Sequence, residues 1–230
     1  MMGYTLYTAN RNYSSWSLRP WVLMRALGIA FEDRLVPFGE HDNAALFRSF
    51  APNGKVPCLH DGGTVVWDSL AIIEYLAERH RGVWPAEASA RAWARCASAE
   101  MHSGFLSLRN TCPMSVGVRA DLNAVPPALQ ADINRIGELF AQGIDRFGGP
   151  WLAGDAFSAV DAFFAPVAFR VRGFGLDIGD KGRAWVGQIL GHLAMLEWEN
   201  AALSETWRDA AHEDEIAAVA RITADYRRSA

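Results

Sequence analysis

The feature that most constrains the fold is a change of periodicity near residue 86. Before this point, four short segments carry the alternation or the Val, Thr and Tyr content of β-strands, with helical patterns between them. After it, strand-like alternation stops and long segments with a helical period fill the chain. The sequence therefore predicts a mixed α/β domain over residues 1–80, a linker over 81–88 and an all-helical domain over 89–230.

The first domain begins with a predicted strand at residues 4–8, a helix at 18–27 and a second strand at 31–37. Two strands separated by one helix in so short a space predict a parallel pair joined by a right-handed crossover. A short helix over residues 43–50 follows. A β-hairpin and a helix that opens at residues 68–69 complete the domain.

The second domain is predicted to contain five helical segments. They lie over residues 87–110, from 126–127 to 148, over 162–171, around 185–198 and from 214 onward. The stretch from Ala162 to Val171 is almost wholly apolar, so we expect this helix at the centre of the core. Ser158 and Asp161 before it resemble a capping box, with Asp in place of the usual Glu or Gln.

A strand-to-helix corner with three serines lies at residues 14–17. Proline is tolerated in the first turn of a helix, so Pro20 predicts a helix that begins near Leu18 with Ser17 as its N-cap. Ser14 then lies in the loop before a helix N-terminus, where free N–H groups and the helix dipole stabilise an anion such as a thiolate. The alternative is that these serines only cap the helix and form the turn.

Composition and charge exclude several classes of function. The net charge is −4 and no basic stripe is present, which argues against nucleic acid as a partner. No apolar run approaches the roughly 20 residues that span a bilayer, and no signal peptide precedes the first strand, so we expect no membrane association. The six histidines show no metal-binding spacing, which predicts no metal site. Scattered cysteines without a C-x-x-C pair fit a reducing, cytoplasmic compartment; they are Cys58, Cys96 and Cys112.

Three motifs together resemble the glutathione S-transferase superfamily. Residues 14–19, Ser-Ser-Trp-Ser-Leu-Arg, are similar to the zeta-class pattern S-S-C-S-W-R. Residues 53–59 resemble the family's strand with a Val-Pro pair, and residues 68–76 resemble its (Q/E/D)-S-x-A-I-x-x-Y-L helix. The likeness covers nearly the whole chain and is closest to serine-type, zeta- or theta-like bacterial members. It implies a thioredoxin-like N-terminal domain followed by an all-α helical bundle.

The resemblance also implies that glutathione is bound as a co-substrate. Ser14 and Ser17 stand where related redox proteins carry the C-x-x-C cysteines. The hydroxyl of Ser14 would donate a hydrogen bond to the glutathione thiolate, and a donor to the ionised form lowers the pKa of the thiol. Ser15 is the second choice for this role and Tyr13 the third. Trp16 stands where the zeta-class pattern has its cysteine. The alternative is that Trp16 only packs against the next helix.

Further glutathione contacts follow from the resemblance. Val56, before a cis Pro57, would pair its backbone with the cysteinyl part of glutathione as an added strand does. Lys55 would reach the glycyl carboxylate, and His41 would lie near the glycyl end. The alternatives are a solvated lysine at a strand end and a surface histidine.

The helix that opens at residues 68–69 would hold the γ-glutamyl end. Ser69 lies at a helix N-terminus, an anion site, and would bind the γ-glutamyl carboxylate. Asp68 would pair with the γ-glutamyl amino group. As a plain helix cap, however, this pair would need no ligand.

The second-substrate pocket is expected between the serine corner and the helical domain. The residues predicted to line it are Met101, Phe105, Arg109 and Met114, with Phe169 or Arg172 as further candidates. An arginine in such a pocket would suit an anionic substrate. Arg109 is alternatively an ordinary cation at a helix end. Cys112 lacks a placed base and is interpreted as structural.

Three functional hypotheses follow. The first is a glutathione transferase that activates the thiolate for conjugation to a small hydrophobic electrophile. The second is a zeta-type, maleylacetoacetate-like cis-trans isomerase. The third is a non-catalytic glutathione-binding or interaction protein, since fold alone does not fix function. The resemblance implies a homodimer in each case.

Overall fold

A four-stranded mixed sheet forms the centre of the N-terminal part. The computed structural model describes residues 3–39 and 43–228. The strands are β1 (Tyr4–Thr8), β2 (Phe31–Leu35), β3 (Cys58–Asp61) and β4 (Thr64–Trp67), in the order β2-β1-β3-β4. Strands β1 and β2 are parallel, with Tyr4 opposite Phe31, whereas β3 is antiparallel to both β1 and β4. The predicted parallel pair is therefore confirmed.

Three helices accompany this sheet. They are α1 (Ser15–Ala26), α2 (Asn43–Arg48) and α3 (Ser69–Ala77). Helices α1 and α3 pack against each other and against the sheet. Leu6 of β1, Leu18 of α1 and Ile72 of α3 are fully buried in the resulting core. This packing fixes the start of α1 beside the end of β1.

Helix α1 begins three residues earlier than the proline rule predicts. It starts at Ser15, so Ser14 rather than Ser17 occupies the N-cap position, and Pro20 lies inside the helix. Pro20 removes the one bond that its N–H would donate to the carbonyl of residue 16. The buried face of the helix, from Ser17 to Met24, tolerates this loss because almost every residue in it packs into the core.

The C-terminal part is helical, apart from one small sheet. Its elements are α4 (Ala88–Ser103), α5 (Leu106–Thr111), β5 (Val118–Leu122), α6 (Pro127–Phe147), α7 (Ala159–Phe174), α8 (Gly179–Leu190), α9 (Leu193–Ser204), α10 (Ala210–Val219) and β6 (Ala220–Asp225). Helix α7 is buried along nearly its whole length and packs against α1, α4 and α8. The predicted central helix and the thioredoxin-like plus helical fold class are confirmed.

Asp161 anchors the start of α7. Its carboxylate accepts hydrogen bonds from the backbone N–H of Leu152 and of Ser158, and from the indole N–H of Trp185. Burial raises the pKa of this carboxyl to about 6, although these donors oppose the rise. Of the predicted capping box, the bond from the N–H of Ser158 to Asp161 is present, whereas the Ser158 hydroxyl has no partner among the described residues.

Two predicted long helices are each divided in two. The segment predicted as one helix over residues 87–110 breaks at Gly104 and Phe105, where Phe105 has a left-handed φ of 56°. The segment around 185–198 breaks between α8 and α9 at Gly191. Hydrophobic periodicity continues across both breaks, so the helical pattern alone does not reveal them.

The antiparallel pair β5–β6 was not predicted. It joins Val118 to Asp225 and Leu122 to Ala220 across about a hundred residues of chain. The sequence instead predicts helix throughout the polar tail from residue 214. The tail forms α10 and then turns into β6, because its strand partner comes from a distant segment that local patterns cannot identify. The proposed boundaries at residues 80 and 88 stay a prediction.

No helix within residues 3–39 and 43–228 is both long and apolar enough to cross a membrane.

Candidate functional site

The serine corner lies where β1 ends and α1 begins. Ser14 is 6% exposed, and its side chain makes no cap hydrogen bond to the helix. Its Oγ lies 2.7 Å from the Oγ of Ser17, which also accepts the N–H of Ala9 at 3.3 Å. A hydroxyl can rotate its hydrogen, so Ser17 can instead donate to Ser14 and leave the Ser14 hydrogen for another acceptor. Ser17 thus orients Ser14.

Tyr13 has its hydroxyl occupied elsewhere. The phenol donates to Glu213 Oε1 at 2.6 Å and accepts from the guanidinium of Arg227 at 3.1 Å. Burial and the bond to Glu213 both raise the pKa of Tyr13. Of the three hydroxyls considered from the sequence, Ser14 and Ser15 remain available for a ligand.

A cavity of about 590 Å³ opens beside this corner, and we call it the corner cavity. Ser14, Ser15 and Trp16 line it from α1, and Lys55 and Val56 line it from the loop before β3. The first turn of α10 lies against it as well. The cavity is large enough for a small organic substrate.

A smaller cavity of about 210 Å³, the α3 cavity, adjoins the first. Trp16, Lys55 and Val56 line both cavities. Ser69 and Asp68, at the start of α3, line only the smaller one. The two cavities therefore form one site with a polar branch at the N-terminus of α3.

Ser69 is 1% exposed, and its Oγ has no hydrogen-bond partner among the residues that the structure describes. A buried hydroxyl without a partner costs free energy unless a ligand or water completes it. Asp68 precedes it with a φ of 75°, and its carboxylate accepts the N–H of Leu70 at 2.8 Å. Asp68 thus caps α3, and its other oxygen lies 3.5 Å from His102 Nε2.

The Val56–Pro57 peptide is cis. In the described part of the chain, the backbone N–H and C=O of Val56 have no hydrogen-bond partner. They lie beside the cavities as an unpaired strand edge does. The side chain of Lys55 is exposed. His41 lies outside the described residues.

Only half of the predicted second-substrate residues line the corner cavity. Arg109 and Met114 do so. Met101 and Phe105 are instead 0% and 6% exposed in the hydrophobic core, because they lie on the inner side of the α4–α5 break. Arg170 lines the cavity, between the two α7 positions that the sequence suggested.

Arg109 and Arg170 line the corner cavity, and Arg19 lies nearby against the ring of Trp16. Arg19 is 1% exposed and lies over the Trp16 ring at 4.0 Å, with Arg109 over the same ring at 4.6 Å. Burial, then the nearby charges of Arg109 and Arg170, hold the pKa of Arg19 well below its usual range. Burial likewise lowers the pKa of Arg170 to about 10. Within the described chain, none of the three forms a salt bridge.

Cys58 and Cys112 are poor nucleophiles in this setting. Burial raises the pKa of the Cys58 thiol to about 11 and that of Cys112 to about 12. Cys96 is exposed, and none of the three forms a disulfide. Among residues 3–39 and 43–228, no cluster of His, Cys, Asp or Glu side chains could hold a metal ion.

The sequence and fold that form this site are similar to those of known proteins. Residues 13–79 match the family model of the glutathione S-transferase N-terminal domain, and this span contains the corner, the cis-proline loop and α3. The fold also matches a glutathione transferase homologue from Burkholderia strain BGR1, which was solved with bound glutathione. The match has a TM-score of 0.66 and 22% sequence identity, and it covers 87% of this chain and 98% of the homologue. Residues 13–79 therefore match the glutathione S-transferase N-terminal domain family, and the fold of the chain resembles that of glutathione transferases.

Curated glutathione S-transferase relatives are distant. Maleylacetoacetate isomerase from Rattus norvegicus is 26% identical, covering 75% of this chain and 80% of its own. Glutathione S-transferase 1 from Dianthus caryophyllus is also 26% identical, covering 76% of this chain and 80% of its own.

The C-terminal segment contributes residues to the site that local sequence patterns do not indicate. Asp209, His212 and Glu215 line the corner cavity from α10 and the residue before it. They lie about two hundred residues from the serine corner, and their local sequence is that of an ordinary polar helix. An i, i+3 pair of Asp and His was the only visible signal.

Proposed function

We propose that the protein is a glutathione transferase that activates the thiolate of glutathione for conjugation to a small electrophile. The observation that carries this proposal is the partnerless, buried hydroxyl of Ser69 at the N-terminus of α3. Such an end binds carboxylates, since its N–H groups and dipole favour an anion. The γ-glutamyl carboxylate of glutathione has this chemistry.

The remaining chain contacts follow along the two cavities. The free backbone groups of Val56, beside the cis-proline, suit an extended peptide segment such as the cysteinyl residue. Asp68 offers a carboxylate to the α-amino group. Lys55, which lines both cavities, offers a cation to the glycyl carboxylate.

Ser14 is the proposed donor to the sulfur, with Ser15 as the alternative. A hydroxyl that donates to a thiolate stabilises the ionised form, and each unit by which the thiol pKa falls corresponds to about 1.4 kcal/mol. The corner cavity then receives the electrophile beside the activated sulfur. The similarity to a plant glutathione S-transferase, and the glutathione bound in the Burkholderia homologue, support glutathione as the co-substrate.

Glutathione binding to a Ser69→Ala variant tests the proposal. A hydrogen bond to a charged group contributes about 1.5–3 kcal/mol, so calorimetry should find affinity reduced about tenfold to a hundredfold. Ser98→Ala is the matched control, since Ser98 is another buried serine whose hydroxyl has no described partner but which lines neither cavity. Equal affinity of Ser69→Ala and wild type would overturn the assignment.

A zeta-type cis-trans isomerase is the second candidate. Arg19, Arg109 and Arg170 lie near one another without a carboxylate partner in the described chain, and this arrangement favours an acidic second substrate. Relatives named maleylacetoacetate isomerase support it. A panel of aryl halides, unsaturated carbonyls and cis-dienoic acids separates the two: isomerisation without net thiol consumption favours the isomerase. Glutathione binding without turnover of any compound favours a non-catalytic role.

Dimerisation and a cytoplasmic location stay predictions. Sedimentation of the purified chain at micromolar concentration tests the first, and a monomer would contradict it.

A further inference from the structure

An aspartate–histidine pair stands at the start of α10, at the mouth of the corner cavity. His212 Nδ1 lies 2.5 Å from Asp209 Oδ2, and the same oxygen accepts the backbone N–H of His212 at 3.2 Å. Both residues line the corner cavity together with Ser14, Ser15 and Val56. No role in the glutathione contacts described above uses this pair.

The imidazole is held rigidly. Its ring is stacked between Tyr13, at 5.0 Å and 22°, and Phe38, at 5.2 Å and 20°. Tyr13 immediately precedes Ser14, so the stack keeps the imidazole next to the serine corner. The His212 side chain is 30% exposed, whereas that of Asp209 is 15% exposed. The ring thus keeps one orientation and also keeps access to solvent.

The carboxylate determines which ring nitrogen can act. An Asp that accepts from Nδ1–H fixes the neutral tautomer whose lone pair is on Nε2, and it stabilises the imidazolium that forms when Nε2 takes a proton. Nε2 of His212 has no hydrogen-bond partner among the described residues. This is the arrangement of a general base with its orienting group.

We propose that His212, oriented by Asp209, is the base that accepts the proton of the glutathione thiol. This rests on the proposed function. The S–H bond breaks, the electron pair stays on sulfur, and the proton passes to Nε2. A thiolate then lies beside an imidazolium, as in other activated thiols. When sulfur attacks the electrophile, the imidazolium returns its proton to water through the exposed edge of the ring.

The charges around the ring are mixed. The carboxylates of this segment are those of Asp209, Glu213 and Glu215, in α10 and the residue before it. The guanidinium groups of Arg208 and Arg227 act on Tyr13, whose ring is stacked on His212, and those of Arg109 and Arg170 line the same cavity. Arg227 is already paired with Glu213 and Asp225, which reduces its effect on the ring. The direct contact with Asp209 is the closest of these charges.

Proton release on glutathione binding tests the proposal. Calorimetry at about pH 7.5, where imidazoles are ordinarily neutral, is carried out in buffers that differ in ionisation enthalpy, and thiolate is measured by its ultraviolet absorbance. The wild type should release about zero protons per thiolate formed, because the proton stays on the protein. His212→Phe, which keeps an aromatic ring in the stack, should release about one. Asp209→Asn should give an intermediate value.

His80→Phe is the matched control, since His80 bonds to the hydroxyl of Tyr4 and lines neither cavity. It should behave as the wild type does. Release of one proton per thiolate by the wild type would overturn the role of His212 while leaving the transferase intact. The same value in wild type and His212→Phe would do so as well. Failure of the wild type to bind glutathione would instead reject the proposed function, and this inference with it.

Discussion

Replacing Arg227 should destabilise α10 and β6, the C-terminal elements beside the corner cavity. This arginine follows β6, its side chain is 2% exposed, and it donates to both oxygens of Glu213 at 2.5 and 2.9 Å. It also donates to Asp225 and to the hydroxyl of Tyr13. One guanidinium therefore ties α10 and β6 to the residue that precedes the serine corner.

The size of the expected loss of stability follows from how deeply the ion pairs are buried. Removing one partner of a buried ion pair costs about 3–5 kcal/mol, because the other charge is left buried. The Glu213 side chain is 29% exposed and that of Asp225 is 40% exposed, so solvent screens part of this loss. For Arg227→Met, which keeps much of the side-chain volume, we expect a loss of about 2–4 kcal/mol.

Hydrogen exchange measures where this loss appears. Amides of residues 210–225 should exchange at least about thirtyfold faster in Arg227→Met, since each 1.4 kcal/mol is a factor of ten. Urea unfolding gives the global value. Arg221→Met is the control: Arg221 lies on β6 and pairs with Asp121, but both side chains are more than half exposed. It should cost less than about 1 kcal/mol.

The pH dependence gives an independent check. Burial opposes ionisation of Glu213, but the hydrogen bonds from Arg227 and Tyr13 prevail and lower its pKa below the ordinary 4.5. A depressed carboxyl pKa stabilises the fold above the unfolded value, and this stabilisation is lost as pH falls through the folded value. The difference between wild type and Arg227→Met should therefore shrink below about pH 4. Equal exchange of residues 210–225 in both proteins at neutral pH would refute the reasoning.

Three further changes test separate parts of the site and fold. Ser14→Ala should keep glutathione affinity but raise the pKa of the bound thiol by about one unit, measured by thiolate absorbance against pH; an unchanged pKa would transfer the role to Ser15. Asp161→Ala leaves three donors without their acceptor and should destabilise the fold by about 3–5 kcal/mol in urea, whereas a loss below 1 kcal/mol would contradict the anchoring role. Trp16→Ala removes the ring under Arg19 and Arg109 and should cost about 2 kcal/mol, with Trp16→Phe retaining most of the stability in the same assay.

Local chemistry explains which parts of the fold could be predicted. Strand alternation determines β1, whose predicted range of residues 4–8 agrees with the structure, and turn residues determine the β-hairpin that β3 and β4 form. Helix α1 was misplaced because a proline rule for the first turn was applied where tertiary packing holds Pro20 inside the helix. The β5–β6 pair was missed because strand pairing over such a separation has no local signal.

The candidate site divides in the same way. Ser14, Val56 and Ser69 stand in short motifs, so the sequence suggested them, although their roles stay proposals. On α7 the sequence suggested Phe169 or Arg172, whereas Arg170 lines the cavity. Successive helical residues point about 100° apart, and the sequence of an almost wholly apolar helix does not show which side faces the cavity. His212 lies at the far end of the chain, and only the fold brings it to the corner cavity.

Tyr13 contacts both the Arg227–Glu213 ion pair and the imidazole of His212. Its hydroxyl is bonded within the Arg227–Glu213 clamp, and its ring supports the imidazole of His212. The tyrosine is thus unavailable to the sulfur because it holds the helix that carries the proposed base. If the clamp positions that base, Arg227→Met should also increase the protons released per thiolate formed, although Arg227 lines neither cavity. Increased exchange in α10 with unchanged proton release would separate the clamp from the chemistry, and would leave the stack of Tyr13 and Phe38 as what orients His212.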